Sequence, residues 1–131
     1  MIAVDTSALV AILLCEPLGD ACYRVINAGP ALVISSATVA EALVVADRRQ
    51  FGVEMRGLLT GMNWVIDMVD ANTAARVATI YSQWGKGVHP AGLNIMDCFA
   101  YDVAQQNGCP LLYVGNDFVR TDILNAISTD A

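Results

Sequence analysis

Cations are scarce in this chain: one lysine (Lys86), one histidine (His89) and six arginines stand against 13 acids, for a net charge of −6. Bulk charge therefore cannot drive binding to nucleic acid, and any such contact must rest on local basic loops and metal ions. Long apolar runs are also missing. The stretch from Ala8 to Cys15 follows Asp5 and lacks a basic flank, so it is too short for a membrane span and is not laid out as a signal peptide. A soluble, cytoplasmic protein with no membrane partner is expected. Only four cysteines occur, Cys15, Cys22, Cys98 and Cys109, at spacings of 7, 76 and 11. These fit neither a zinc pattern nor a compact disulfide framework, so reduced and mostly buried thiols are expected.

Apolar side chains, by contrast, make up 56% of the residues, charged ones only 15%, and the mean hydropathy is +0.51. That leaves little polar surface to cover a lone monomer and implies a partner over an apolar patch, a second copy or another chain. A length of 131 residues suits one domain over 1–131.

Along the chain, Ile2-Ala3-Val4 reads as a strand ending at Asp5, with Thr6-Ser7 leading into a helix over Ala8 to Leu14. Pro17 and Gly19 break it, and Asp20 opens a second helix to Asn27. Ala31 to Ile34 is a second strand. Ser35, Ser36 and Thr38 can cap a helix from Ala37 to Gln50, with Ala40, Leu43, Val44 and Ala46 turned inward. A short helix over Val53 to Thr60 and a strand over Trp64 to Met68 follow. A long helix then runs from Asp70 or Asn72 to Gly85, with Ala75, Val77, Ala78 and Tyr81 as its apolar side.

Residues 85–92, with three glycines and a proline, form a loop holding Lys86 and His89. A helix over Asn94 to Gln106 and a strand over Leu111 to Val114 lead to Gly115-Asn116-Asp117. Strands that are continuous apolar runs, alternating with helices, predict an α/β fold with a parallel sheet covered on both faces.

Open parallel sheets bind ligands beyond the carboxyl ends of their strands, and Asp5 and Asp117 fall there. Asp97 lies in the first turn of its helix, where the dipole favours an anion. Glu41 is embedded among Val39, Ala40, Ala42 and Leu43, and a carboxylate so placed is costly to bury unpaired. Other roles stay open for each: a helix cap for Asp5, dipole complement for Asp97, an arginine pair for Glu41, a turn-former for Asp117. Four clustered carboxylates would protonate unless a cation neutralised them. An oxygen-only set selects a hard ion, Mg²⁺ or Mn²⁺. Hydrolysis of a phosphodiester by metal-activated water is the matching chemistry. Asp102, five residues beyond Asp97 and roughly 140° round the helix, is read as acting behind the other acids or as solvated.

The blocks Val4-Asp5-Thr6-Ser7-Ala8-Leu9, Trp84 to Asn94 with Asp97-Cys98-Phe99-Ala100-Tyr101, and Pro110 to Phe118 with Arg120 to Ile123, together with Glu41, resemble a VapC-type PIN-domain toxin. The resemblance implies a three-layer α/β/α sandwich with a central parallel sheet of four to five strands. It implies metal held chiefly by Asp5 and Asp97 with support from Glu41 and Asp117, and Thr6, Ser7, Asn94 and Asn116 behind them. Also implied are endonucleolytic cleavage of RNA, a homodimer, and inhibition by a VapB-type antitoxin. Several relatives carry an acid where this chain has Asn116, which bears on a second metal.

Lys86, Arg120, Arg48, Arg49 and His89 are candidates to hold substrate phosphates, with solvated charge as the alternative; for His89, a turn residue bonded to backbone is the simpler reading. A haloacid-dehalogenase-like phosphatase would need an Asp where Ser7 stands. A catalytically degenerate or receiver-like interaction module remains the non-enzymatic alternative.

Overall fold

The computed structural model describes residues 1–127. Four short strands, β1 (Ile2–Val4), β2 (Leu32–Ser35), β3 (Trp64–Asp67) and β4 (Leu111–Leu112), form one sheet in the order β3-β2-β1-β4, every pair parallel. The helices are α1 (Thr6–Leu13), α2 (Gly19–Asn27), α3 (Ser36–Arg48), α4 (Gly52–Thr60), α5 (Ala71–Trp84) and α6 (Ile95–Gln106). Parallel neighbours cannot be joined by tight hairpins, so helical crossovers link the strands.

The period of two sorts the strand residues. Ala3, Val33 and Leu111 face a core built with Val77 and Ile80 of α5 and Cys98, Ala100 and Tyr101 of α6. Val4, Leu32, Ile34 and Leu112 face the other core, with Leu9 of α1, Cys22 and Ile26 of α2, Ala42 and Ala46 of α3, and Met55 of α4. Two helical layers thus sandwich the sheet. Gly19 lets α2 lie against α1, since a Cβ there would sit 2.3 Å from the Ala11 carbonyl oxygen. No described helix is long and apolar enough to cross a membrane.

Several expected packing faces differ. On α3 the buried residues are Thr38, Ala42 and Ala46, while Ala40 and Val44 are exposed. With nearly every residue from Val39 to Ala46 apolar, periodicity alone cannot choose a face. On α5 the inward stripe is Thr73, Val77 and Ile80, and Ala75 and Ala78 face solvent. Strand β3 is not covered on both faces: as the sheet's edge it leaves Val65 53% and Ile66 46% exposed. Strand β4 ends at Leu112 rather than Val114. All four thiols are free, but only Cys22 and Cys98 are buried, and Cys15 is exposed.

Candidate active site

The chain enters the sheet at β1, extends it through β2 and β3, then returns to β1's other side with β4. The β1/β4 boundary is therefore the switch point, where diverging connections leave a crevice at the carboxyl ends of the strands. Asp5 stands there, its amide bonded to the Leu112 carbonyl at 3.0 Å. Its side chain caps α1, the Oδ2 accepting from the Ser7 amide at 3.1 Å and the Ser7 hydroxyl at 2.6 Å. The Ser7 Oγ in turn accepts from the Val114 amide at 3.0 Å, tying the start of α1 to the chain leaving β4. Gly115, at φ +98, then turns that chain to present Asn116 and Asp117, both exposed.

Asn94 and Asp97 form a reciprocal cap on α6: the Asp97 amide donates to Asn94 Oδ1 at 2.8 Å, and the Asn94 amide donates to Asp97 Oδ2 at 3.0 Å. Glu41, half-buried on α3, accepts from the Thr6 hydroxyl at 2.6 Å through Oε1. Four elements far apart in sequence thus deliver carboxylates to one end of the sheet.

Their charges are felt in common. Burial pushes the Asp5 carboxyl up to about 6, opposed by its Ser7 hydrogen bonds and reinforced by the charges of Glu41 and Asp117. Burial likewise pushes Asp97 up to about 7, opposed by the Asn94 amide and reinforced by Asp117, Asp5 and Glu41. Among the described residues, Asp5, Glu41 and Asp97 each engage the chain through one oxygen, and the other receives no hydrogen bond from it. Among the same residues no three His, Cys, Asp or Glu side chains are drawn together into a finished metal cage. Such an arrangement offers an oxygen-only donor set whose ionised form is costly to bury, a cost that a hard divalent cation would offset in competition with protons.

The remaining candidates are distributed unevenly. Lys86 is exposed in the 85–92 loop, which is pinched by the Lys86 amide on the Leu93 carbonyl and the Leu93 amide on the Trp84 carbonyl. His89 behaves as a turn residue, its Nδ1 accepting from the Ala91 amide at 3.0 Å and its ring meeting Trp84 edge-on at 4.7 Å. Arg120 is exposed and lines a cavity of about 390 Å³ with Pro90, Ala91, Asn116 and Val119.

Arg48 lies seven residues beyond Glu41 on α3, about 10 Å farther along the axis. It borders a separate hollow with Val45 and Arg49. Asp102 is neither solvated nor set behind the acids. It is wholly buried and paired with Arg76 of α5, Nε to Oδ1 at 2.7 Å and Nη2 to Oδ2 at 3.1 Å. The helical offset from Asp97 turned it toward α5, and no sequence spacing pointed to Arg76. Pro90, Ala91 and Val119 were not foreseen beside the site; the dense turn chemistry of 85–92 was the available signal.

Residues 2–124 match the model of the PIN domain family. Ribonuclease VapC30 of Mycobacterium tuberculosis is 41% identical over 128 residues, covering 92% of this chain and 94% of that protein. The chain belongs to the PIN-domain family and, within it, to the VapC ribonucleases. In fold it is similar to the crystal structure of M. tuberculosis VapC20, described as a Sarcin-Ricin loop cleaving toxin, with a TM-score of 0.77 at 15% identity over 95% of this chain and 97% of that one. A toxin–antitoxin complex from Klebsiella pneumoniae gives a TM-score of 0.70 at 19% identity, over 93% of each chain.

Proposed function

We propose that this chain is an endoribonuclease toxin that hydrolyses RNA phosphodiester bonds with a hard divalent ion, Mg²⁺ or Mn²⁺, held by Asp5 and Asp97 with Glu41 and Asp117 completing the donor set. The supporting observation is that burial, reinforced by the charges of the neighbouring acids, lifts Asp5 to about 6 and Asp97 to about 7 without any cation. Oxygen donors alone suit such an ion, and the family supplies the chemistry class.

When bound, a divalent ion supplies an acidified water and offsets the charge of a phosphodiester at its transition state. The chain's own part is orientation. Ser7 holds one oxygen of Asp5, Asn94 one of Asp97 and Thr6 one of Glu41, which limits how far each carboxylate can turn before any ion arrives. Exposed Lys86 and Arg120, on the segments that lead into α6 and away from β4, are offered as phosphate contacts, with Arg48 on α3 as a third.

A VapB-type antitoxin and a second copy of the chain are proposed as partners, in the cytoplasm. Exposed Val44, Val53, Val65, Ile66 and Met68 supply apolar surface for them. The test is cleavage of RNA by purified, antitoxin-free protein in Mg²⁺ or Mn²⁺. Asp5→Asn and Asp97→Asn are expected to lower the rate by at least about 100-fold, in line with the loss of a metal-ordering group. Variants as fast as the wild type would end the proposal.

A further inference from the structure

The cavity beside Asp117 has a composition the acids do not explain. One wall is Pro90 and Ala91 from the loop between α5 and α6; the other is Asn116, Val119 and Arg120, just past β4. Both walls are braced. The Ala91 amide is held by His89 Nδ1, and the His89 ring rests edge-on against Trp84. Opposite, Phe118 is buried against Tyr113 at 5.1 Å, and the Val119 amide bonds the Asn116 carbonyl. A volume of about 390 Å³ falls within the range of small-molecule sites, so a nucleotide unit is a reasonable match in scale.

Its chemistry is divided in the same way as a nucleotide. Pro90, Ala91 and Val119 present apolar surface, with Val119 60% exposed. Asn116 carries an amide that can both donate and accept, as the edge of a base requires. Arg120, like Arg24, Arg48 and Arg49 and unlike Arg56 and Arg76, forms no ion pair among the described residues. Its guanidinium stands in the same cavity wall as Asn116, the residue before Asp117, and is suited to a phosphate.

We propose that this cavity is a base-reading subsite: it takes the unstacked base of the nucleotide next to the cut phosphate of single-stranded RNA, with Asn116 on the base edge and Arg120 on that nucleotide's phosphate. The inference rests on the nuclease reading above, because the neighbouring acids define where the cut falls. Single-stranded RNA is the form whose base edges are open to such readout.

The experiment compares wild type, Ala91→Phe, Asn116→Ala, Arg120→Ala and, as a remote control on α2, Arg24→Ala, by sequencing the ends cut from a random single-stranded RNA library. Ala91→Phe, which fills the cavity, and Asn116→Ala, which removes an amide from its wall, are expected to alter base preference at one position beside the cut; Arg24→Ala is not. Arg120→Ala is expected to raise KM roughly tenfold and to flatten the dependence of log affinity on log salt by about 0.7, one phosphate contact on a single strand. Unchanged preference in Ala91→Phe, with cutting intact, would overturn the subsite and leave the nuclease reading standing.

If wild type cuts no RNA, the nuclease reading falls instead. The cavity is then judged by titrating the four nucleoside monophosphates and following the amide resonances of Ala91, Asn116 and Val119. Shifts that Ala91→Phe abolishes support a nucleotide site, and their absence excludes it.

Discussion

Two demands meet on the carboxylate of Asp97. One oxygen completes the α6 cap with Asn94, and the other receives no bond from the described chain, in a setting where burial, reinforced by three further acids, raises the group's proton affinity. Asparagine can satisfy the first demand but not the second, since its amide oxygen still accepts from the Asn94 amide. Asp97→Asn is therefore expected to fold, to lose cleavage, and to be more stable than the wild type in metal-free buffer at pH 7.5, by about 2 kcal/mol once partial exposure is allowed for. Denaturant unfolding with a chelator present measures this, and a destabilised variant would contradict it. Thr6 makes a subtler case. Its hydroxyl reaches Glu41 at 2.6 Å, so Thr6→Val should loosen Glu41 while keeping the side chain's shape. Loss of one bond to a charged acceptor predicts roughly tenfold weaker Mn²⁺ binding by calorimetry, with Thr6→Ser near wild type.

Helices α5 and α6 are joined by the Arg76–Asp102 pair, whose two ends are unequal: Asp102 is 0% exposed, the Arg76 side chain 35%. Removing the arginine strands a charge with no route to water, whereas neutralising the acid leaves an arginine that can turn outward. Arg76→Ala is thus expected to lower the melting temperature by roughly 10 °C or more, and Asp102→Asn by clearly less. Equal losses would refute the asymmetry.

At this scale the sequence was legible where a local rule operates. The strand–helix alternation, Asp5 closing β1 and Asp97 in the first turn of α6 all follow from runs and caps read within a few residues. What it could not show were choices made by distant partners. The Arg76–Asp102 pair spans 26 residues, and the Thr6–Glu41 bond spans 35. The facing of α3 was hidden by its uniform apolarity, and the exposure of β3 follows from its place at the sheet edge, which strand composition does not encode. Asp117 was legible as an acid after a strand, but the walls of the neighbouring cavity needed two loops to be seen together.

For the molecule as a whole, the acids set a pH dependence opposite to that of most carboxylates. Asp47 and Asp70 have lowered pKa values, the first through its bond with Arg56 and the second through the Thr73 amide. Their contribution is present above the ordinary carboxylate range and fades only in stronger acid. Asp5 and Asp97 are raised from 3.8 to about 6 and about 7, so between pH 4 and 7 the folded state holds protons that the unfolded chain has released. Stability must then fall as pH rises through that window, by an amount of the order of 3 kcal/mol, with the two groups titrating as a coupled set.

A divalent ion that binds only the folded state acts against this loss by mass action, and most strongly above pH 7, where the acids are ionised. Melting curves from pH 4.5 to 8 are expected to decline in chelator, to level off in millimolar Mn²⁺ or Mg²⁺, and to decline less in chelator for Asp97→Asn, which keeps only the Asp5 share of the loss. A chelated wild type that grows more stable from pH 5 to 7.5 would mean that burial and the neighbouring charges do not raise the Asp5 and Asp97 carboxyls in the fold, and the case for a cation at the β1/β4 crevice would lose its electrostatic basis.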